Sequence, residues 1–169
     1  MTFSGDGLDE VVVQAVAGDP EALGKVLGII RPIIIRYVRA RIGSAERSGL
    51  SADDVAQEVC LAAITALPRY KDQGRPFLAF VYGIAAHKVA DAHRAAGRNR
   101  ADATDTLPDR ASSDAGPEQT AIDSESAARM DRLLSTLPEK QREILILRVV
   151  VGMRAEETAE AVGSTAGAV

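Results

Sequence analysis

A single tract in the middle of the sequence, RNRADATDTLPDRASSDAGPEQT, separates two stretches of helical periodicity. The tract is rich in Asp, Ala, Ser, Pro and Gly and has no apolar period, which is typical of a linker. On either side of it, apolar residues recur at the spacing of amphipathic helices, and no strand alternation is evident. The sequence therefore predicts an all-α chain of two small helical domains, 6–97 and 121–169, joined by a flexible acidic linker over 98–120.

Helix start signals support this interpretation in the N-terminal domain. Asp19 followed by Pro20 is typical of an N-cap and a first helical turn, and the helix that begins there runs towards Gly43 with an expected kink at Pro32. Ser51 predicts the N-cap of the next helix, ADDVAQEVCLAAITAL. A third helix is expected from about residue 77 to residue 96.

The cysteine content and the apolar runs indicate the cellular compartment in which the chain acts. Cys60 is the only cysteine, which excludes an internal disulfide and a Cys-cluster zinc site and fits a reducing cytoplasm. Its place near an apolar stripe favours a small core residue over a redox switch. The apolar runs VLGIIRPIII and ILILRVVVG are short and interrupted, so no membrane insertion is expected. The sequence predicts a cytoplasmic protein.

Charge is distributed unevenly along the chain. Residues 69–100 contain seven Lys or Arg and two Asp, a balance of +5, whereas residues 101–126 contain seven acids and one Arg, a balance of −6. Four of the six aromatic residues lie in the basic stretch: Tyr70, Phe77, Phe80 and Tyr82. Aromatic rings among cations suit single-stranded nucleic acid, because bases stack on rings and phosphates pair with cations. Phe77 and Phe80 fit a small core equally well, whereas Tyr70, beside Lys71 and Arg75, is expected to be exposed.

The helix after Ser51 carries an unusual polar face. Its apolar stripe includes Val55 and Val59, while four residues share another face at helical spacing: Asp54, Gln57, Glu58 and Leu61. A Leu among acids suggests a docking surface with one apolar anchor and a charged rim. Periodicity alone favours an ordinary solvated face instead.

Four segments, in this order, resemble sigma factors of the extracytoplasmic-function group, which are bacterial RNA polymerase specificity subunits. The segments are DDVAQEV, LPRYKDQGRPFLAFVYGIAAHKVADAHR, LPEKQREILILRVVVGM and AEETAEAVGSTAGAV. The resemblance covers nearly the whole chain. It implies that 6–97 is sigma region 2, which binds core RNA polymerase and the −10 promoter element, and that 121–169 is sigma region 4. It also implies that Asp54, Gln57, Glu58 and Leu61 contact the clamp helices of the largest polymerase subunit.

The resemblance further implies that the loop 69–76 and the helix after it melt and hold the −10 element, where a flipped base is read in a pocket. The residues expected to contact this DNA are Tyr70, Lys71, Arg75, Phe77, Phe80, Tyr82, His87, Lys88 and Arg94. Phe80 stands where family members usually carry Trp, which puts a strand-separating role there in doubt. Family members are also commonly held inactive by an anti-sigma factor, so such a partner is expected.

The C-terminal stretch is interpreted as a helix-turn-helix, in which a first helix braces and a second enters the major groove. Residues 156–162 form the brace, Gly163 the turn, and 165–169 the first turn of the reading helix. The residues assigned to this DNA-binding motif are Glu156, Thr158, Gly163, Ser164, Thr165, Gly167 and Val169. Because the rest of an Arg-rich reading helix is absent from the sequence, we expect binding to polymerase and the −10 element and failure at the −35 element.

Two alternatives remain open at this point. A stand-alone helix-turn-helix regulator that binds duplex DNA without polymerase shares the C-terminal motif and differs only in the acidic helix and the aromatic loop. An enzyme is not expected, and neither a cofactor nor a metal is, because His87 and Asp91 at i, i+4 have no third ligand or nucleophile motif beside them. An ordinary surface pair is the better interpretation of these two residues.

Overall fold

The computed structural model describes residues 5–42, 51–102 and 117–169, which form helices joined by short turns. The helices are α1 (Gly5–Val16), α2 (Pro20–Ile42), α3 (Ala52–Ala66), α4 (Phe77–Asp102), α5 (Pro117–Ser135), α6 (Glu139–Leu145) and α7 (Ala155–Val162). A 3-10 turn, Leu67–Arg69, follows α3, a π-helical segment, Ile146–Val151, continues α6, and a second 3-10 turn, Ala166–Ala168, follows α7. The described ranges contain no strand, and the all-α prediction is confirmed.

The predicted helix starts are present with the expected side-chain caps. Asp19 Oδ1 accepts hydrogen bonds from the backbone N–H groups of Glu21, at 2.9 Å, and Ala22, at 3.4 Å. Ser51 Oγ accepts one from the backbone N–H of Asp54 at 3.3 Å. These bonds satisfy donors that a helix N-terminus otherwise leaves free.

Helix α2 runs as predicted, whereas α4 and α5 both extend into the predicted linker 98–120. Pro32 lies inside α2, which continues to Ile42, and the predicted helix end at Gly43 lies outside the described residues. Helix α4 extends through Gly97 to Asp102, and α5 begins at Pro117, which suits a first helical position. Alanine and arginine are strong helix formers and outweigh the single glycine at 97. The rest of the predicted linker, 103–116, lies outside the described residues.

Helices α1–α4, here called the N-terminal unit, pack around one apolar core. The most completely buried side chains include Val26, Ile30 and Val38 of α2, Val59 of α3 and Val89 of α4. Burial of such branched side chains stabilises a fold by roughly 1.5–3 kcal/mol each. Because Val59 faces this core, the opposite side of α3 faces solvent.

Helices α5–α7 with the π-helical segment, here called the C-terminal unit, pack directly on the N-terminal unit. The π-helical segment lies against α2, and α7 lies against α4. Four buried side chains of the C-terminal unit, Ile146, Leu147, Val151 and Met153, join the same apolar cluster as the core of α1–α4. Two helical units therefore share one core, an arrangement that the sequence did not indicate. Within the described ranges, no helix combines the length and the apolarity that crossing a membrane requires.

Candidate functional site

The four residues predicted to form a docking surface lie together on the solvent side of α3. Asp54, Gln57, Glu58 and Leu61, here called the acidic face, are all exposed, and Leu61 is 57% accessible. The neighbouring Asp53 differs, because its Oδ1 lies 3.1 Å from Arg39 Nη2. Within the part of the chain that the structure describes, neither Asp54 nor Glu58 has an ion-pair partner. In the described part of the chain, both carboxylates of the acidic face are therefore exposed to solvent and unpaired.

A groove of about 740 Å³ runs beside the acidic face, between α2 and α3. Leu27, Arg31 and Ile35 supply its α2 wall, at the i, i+4, i+8 spacing of one helix face. Leu61 and Cys60 line the α3 side. Burial raises the pKa of the Cys60 thiol above its ordinary value, which keeps it protonated. The α2 wall of this groove was not identified from the sequence. The apolar residues Leu27 and Ile35, four positions before and after Arg31, were a signal for it.

Three aromatic rings of the basic stretch pack on one another. Tyr70 lies with its ring centroid 5.2 Å from that of Phe77 and 5.0 Å from that of Phe80, and the two Phe rings are 5.8 Å apart. The Tyr70 hydroxyl donates a hydrogen bond to the Arg75 carbonyl at 3.0 Å. This bond spans the loop and holds its two ends together. Tyr70 is half-buried, and not as exposed as expected.

Burial corrects the DNA-contact prediction for one of these rings. Phe77 is only 3% exposed and belongs to the core, so its ring cannot stack on a base in this conformation. The reason is its position as the first residue of α4, where the loop turns its side chain inward beneath Tyr70. Phe80 is half-buried, whereas Lys71 and Arg75 are exposed.

Tyr82 takes part in a polar cluster between the two units. Its hydroxyl donates to Glu143 Oε2 at 2.8 Å, and the Tyr37 hydroxyl donates to the same oxygen at 3.1 Å. The two rings meet edge to face, with centroids 5.5 Å apart. Burial, reinforced by the Glu143 charge, raises the pKa of both tyrosines. Tyr82 is therefore occupied within the molecule, whereas the sequence had assigned it to DNA.

The basic residues of α4 surround one aspartate. His87 Nε2 lies 3.5 Å from Asp91 Oδ2, and Arg94 donates a hydrogen bond to Oδ1 of the same carboxylate. This hydrogen bond, more than any other contact, lowers the pKa of Asp91. His87 and Arg94 are exposed, and Lys88 is half-buried. The described residues hold no cluster of three His, Cys, Asp or Glu side chains that could bind a metal.

The C-terminal motif has the expected brace and turn. Helix α7 ends at Gly163, whose φ of +65° lies in the left-handed region that glycine adopts without strain. Glu156 is exposed, but Thr158 is fully buried and its Oγ1 donates to the Arg154 carbonyl at 2.9 Å. Thr158 therefore cannot face DNA in this conformation, which corrects its assignment.

After the turn, residues 166–168 form a 3-10 turn in place of the first α-helical turn that was expected. Thr165 and Gly167 are exposed, and Ser164 and Val169 are half-buried. Of these four, only Ser164 and Thr165 carry side-chain groups that form hydrogen bonds with bases.

Comparisons with known proteins agree with this organisation. Residues 29–99 match the family model described as Sigma-70 region 2, and residues 127–169 match Sigma-70, region 4. The whole chain is 73% identical to the ECF RNA polymerase sigma factor SigD of Mycobacterium tuberculosis, of which it covers 80%. It is 47% identical over 163 residues to the ECF RNA polymerase sigma factor ShbA of Streptomyces griseus, covering 94% of this chain and 85% of that protein.

A solved structure shows the same fold. The structure of CnrH in complex with the cytosolic domain of CnrY matches with a TM-score of 0.63 and 24% identity, covering 94% of this chain and 84% of that one. The resemblance stated from the four sequence segments is confirmed by these matches. The chain belongs to the extracytoplasmic-function RNA polymerase sigma factors of the sigma-70 family and contains a region 2 and a region 4.

Proposed function

We propose that this sigma factor binds core RNA polymerase through the acidic face of α3 and directs it to promoters. The supporting observation is that Asp54, Gln57, Glu58 and Leu61 are exposed together, with the two carboxylates unpaired among the described residues. Exposed carboxylates around an apolar side chain complement a basic helical partner and steer its approach. We infer that the chain contributes no catalysis of its own and acts in the cytoplasm, where polymerase works.

We infer that the loop 69–76 and α4 bind the −10 element. Lys71 and Arg75 are exposed in the loop and offer charge to phosphates, while His87 and Arg94 extend the basic surface along α4. The half-buried rings of Tyr70 and Phe80 support the loop from below and leave part of their area for a base. Phe77 takes no part in this contact, because it is a core residue.

We propose that the C-terminal motif contacts the −35 element, with Ser164 and Thr165 at the start of the reading segment, and that residues 164–169 alone carry too few base-reading side chains to recognise it. Their hydroxyl groups can donate to or accept from base edges, and both follow directly after the turn at Gly163. The region 4 match over residues 127–169 supports this assignment.

We further propose that an anti-sigma factor covers the groove between α2 and α3. CnrH, which shares this fold, was solved in complex with the cytosolic domain of CnrY. The groove combines apolar walls with Arg31, and the C-terminal unit exposes Leu133 and Val149, at 59% and 71%. The groove suits an amphipathic helix that carries acidic residues, and Leu133 and Val149 offer further apolar contacts.

Charge reversal on the acidic face tests the docking assignment. Asp54→Lys with Glu58→Lys converts two attractions into repulsions, each attraction being worth about 1 kcal/mol at contact in water. The binding free energy is expected to weaken by roughly 4 kcal/mol in total, which raises the dissociation constant for core polymerase about a thousandfold. The effect is expected to be smaller at high salt. Fluorescence anisotropy of a labelled chain titrated with core polymerase measures it.

A matched control separates docking from net charge. Asp9→Lys with Glu10→Lys makes the same charge change on α1, where both residues are exposed. The control is expected to bind nearly as the wild type does. If the reversal on α3 leaves tight binding intact, the site assignment is wrong, and if the wild type does not bind polymerase, a stand-alone DNA-binding regulator is the better description.

A further inference from the structure

A single acidic residue lies in the middle of the basic stretch of α4. Between Phe77 and Ala101 the helix carries several Lys, Arg and His residues but only one carboxylate, that of Asp91. Its Oδ2 lies 3.5 Å from His87 Nε2, and its Oδ1 accepts a hydrogen bond from Arg94. An acid in the centre of a surface assigned to phosphates needs an explanation of its own.

Asp91 is aligned with the aromatic loop and with the arginines of α4. Residues that alternate four and three positions apart share one face of a helix. Six residues of α4 follow this spacing: Phe80, Ile84, His87, Asp91, Arg94 and Arg98. This face extends about 27 Å along the helix, at about 1.5 Å a residue. A strand held by the loop 69–76 and α4 therefore passes over Asp91.

The Asp91 carboxylate is accessible and ionised. Its side chain is 48% accessible, and the side chains of His87 and Arg94 are 74% and 59% accessible. The hydrogen bond from Arg94 contributes most to lowering the pKa of Asp91, and the charges of His87 and Lys88 add to this effect. The carboxylate is therefore negatively charged at neutral pH, and it is already paired with two of the side chains assigned to phosphates.

A carboxylate at this position opposes the backbone of any nucleic acid strand. Phosphates attract cations whatever the base sequence, and this attraction supplies most of the non-specific binding. Asp91 repels the same phosphates, and it also competes with them for Arg94. Neither effect depends on base identity, whereas the reading of a flipped base does. Weakening only the sequence-independent part of binding increases the share of the affinity that base contacts supply.

We propose that Asp91 sets the sequence selectivity of the −10 surface by holding Arg94 on α4 and by repelling phosphates in general. The inference rests on the proposed function of the loop 69–76 and α4. Asp91 acts as a positioning residue, through Arg94 and His87, and not through a contact with a base. Its removal makes the surface bind single strands more tightly and distinguish them less well.

Binding of the full chain to a fluorescent oligothymidylate of about twelve nucleotides, without polymerase, tests this role. Asp91→Asn keeps the size of the side chain and removes its charge, and helicity by circular dichroism is expected to be unchanged. Affinity is expected to rise about tenfold at about 50 mM salt, since a repulsion is removed and Arg94 is released to a phosphate. One further phosphate contact steepens the dependence of log affinity on log salt by about 0.7, so the gain is expected to shrink to about fourfold at about 200 mM salt.

An ion pair elsewhere on the surface supplies a matched control. Glu21 and Lys25 form an exposed i, i+4 pair on α2, with Glu21 Oε1 3.1 Å from Lys25 Nζ. Glu21→Gln makes the same charge change and also releases a cation, but on a helix that is not assigned to DNA. It is expected to leave the affinity within about twofold of the wild type, because separated surface charges are screened by salt.

Two further measurements separate the parts of the proposal. In an Arg94→Ala background, the gain from Asp91→Asn is expected to fall to about threefold, since only the repulsion remains to be removed. Selection of single strands from a random pool is expected to enrich particular sequences less strongly with Asp91→Asn than with the wild type.

Each remaining outcome decides against the proposal. Asp91→Asn binding no tighter than the wild type, a gain matched by Glu21→Gln, a gain undiminished by Arg94→Ala, or equal enrichment from the random pool overturns the role of Asp91. If Arg94→Ala alone still weakens binding in that case, the assignment of α4 to DNA stands. If neither the wild type nor Asp91→Asn binds the strand at about 20 mM salt, both the role of Asp91 and that assignment are overturned.

Discussion

The aromatic loop offers the sharpest test of whether Tyr70 supports the loop or is itself a stacking platform. Tyr70 contacts the rings of Phe77 and Phe80, and its hydroxyl bridges to the Arg75 carbonyl. Tyr70→Ala removes two ring contacts worth about 0.5–1.5 kcal/mol each and the burial of half a ring, about 1 kcal/mol. The expected loss in free energy of unfolding is about 2–4 kcal/mol.

The hydroxyl can be separated from the ring. Tyr70→Phe keeps both ring contacts and loses one partly exposed hydrogen bond, so its cost is expected near the lower end of the usual range, about 0.5 kcal/mol. Lys71→Ala, an exposed neighbour in the same loop, serves as the control and is expected to change stability by less than about 0.5 kcal/mol.

Urea unfolding followed by far-ultraviolet circular dichroism measures all three variants. Tyr70→Ala is expected to lower the midpoint by about 1 M, and the other two variants by a few tenths at most. A Tyr70→Ala variant as stable as the wild type that has lost binding to a −10 single strand would refute this reasoning. It would mean that the ring serves DNA and not the loop.

Three other predictions concern the core, the turn and the tyrosines. Val59→Ala is expected to cost about 2–3 kcal/mol in urea unfolding because Val59 is fully buried, whereas Leu61→Ala two positions along is expected to stay within about 0.5 kcal/mol. Gly163→Ala is expected to cost about 1–2 kcal/mol, since its positive φ disfavours a Cβ, and a cost near zero in the same assay would contradict the turn geometry. The pKa values of Tyr37 and Tyr82 are raised above the ordinary value near 10, so the folded state binds these protons more tightly than the unfolded state does. The contribution of these two protonated tyrosines to the free energy of unfolding is complete below pH 10 and decreases as the pH rises above 10. A spectrophotometric titration that shows tyrosinate at pH 10 in the folded protein would refute this prediction.

Features that depend on near neighbours in sequence could be predicted well. Asp19 and Ser51 cap helices because their side chains reach N–H groups two or three residues away. The acidic face of α3 follows from helical spacing alone, once Val55 and Val59 identify the buried side. Local residue types thus determine which surfaces exist.

Features that depend on distant pairs could not be predicted. The Glu143 hydrogen bonds join residues 106 and 61 positions apart, and no period or motif marks these partners. Phe77 was equally ambiguous, because a ring beside cations looks the same in sequence whether it faces solvent or the core. The docking of the two units, and which rings stay accessible, follow from tertiary packing.

Arg41 of α2 and Glu143 of α6 form an ion pair between the two units, with Arg41 Nε 2.6 Å from Glu143 Oε1, and this pair affects how the units can separate. An interface made only of aliphatic side chains would hold the two units together at many relative orientations, and separating it in water would be costly. Charged groups regain full hydration when they part, and this recovers much of what their burial cost. An interface that contains this pair therefore favours one alignment of the two units, and it separates without leaving either charge buried and unpaired.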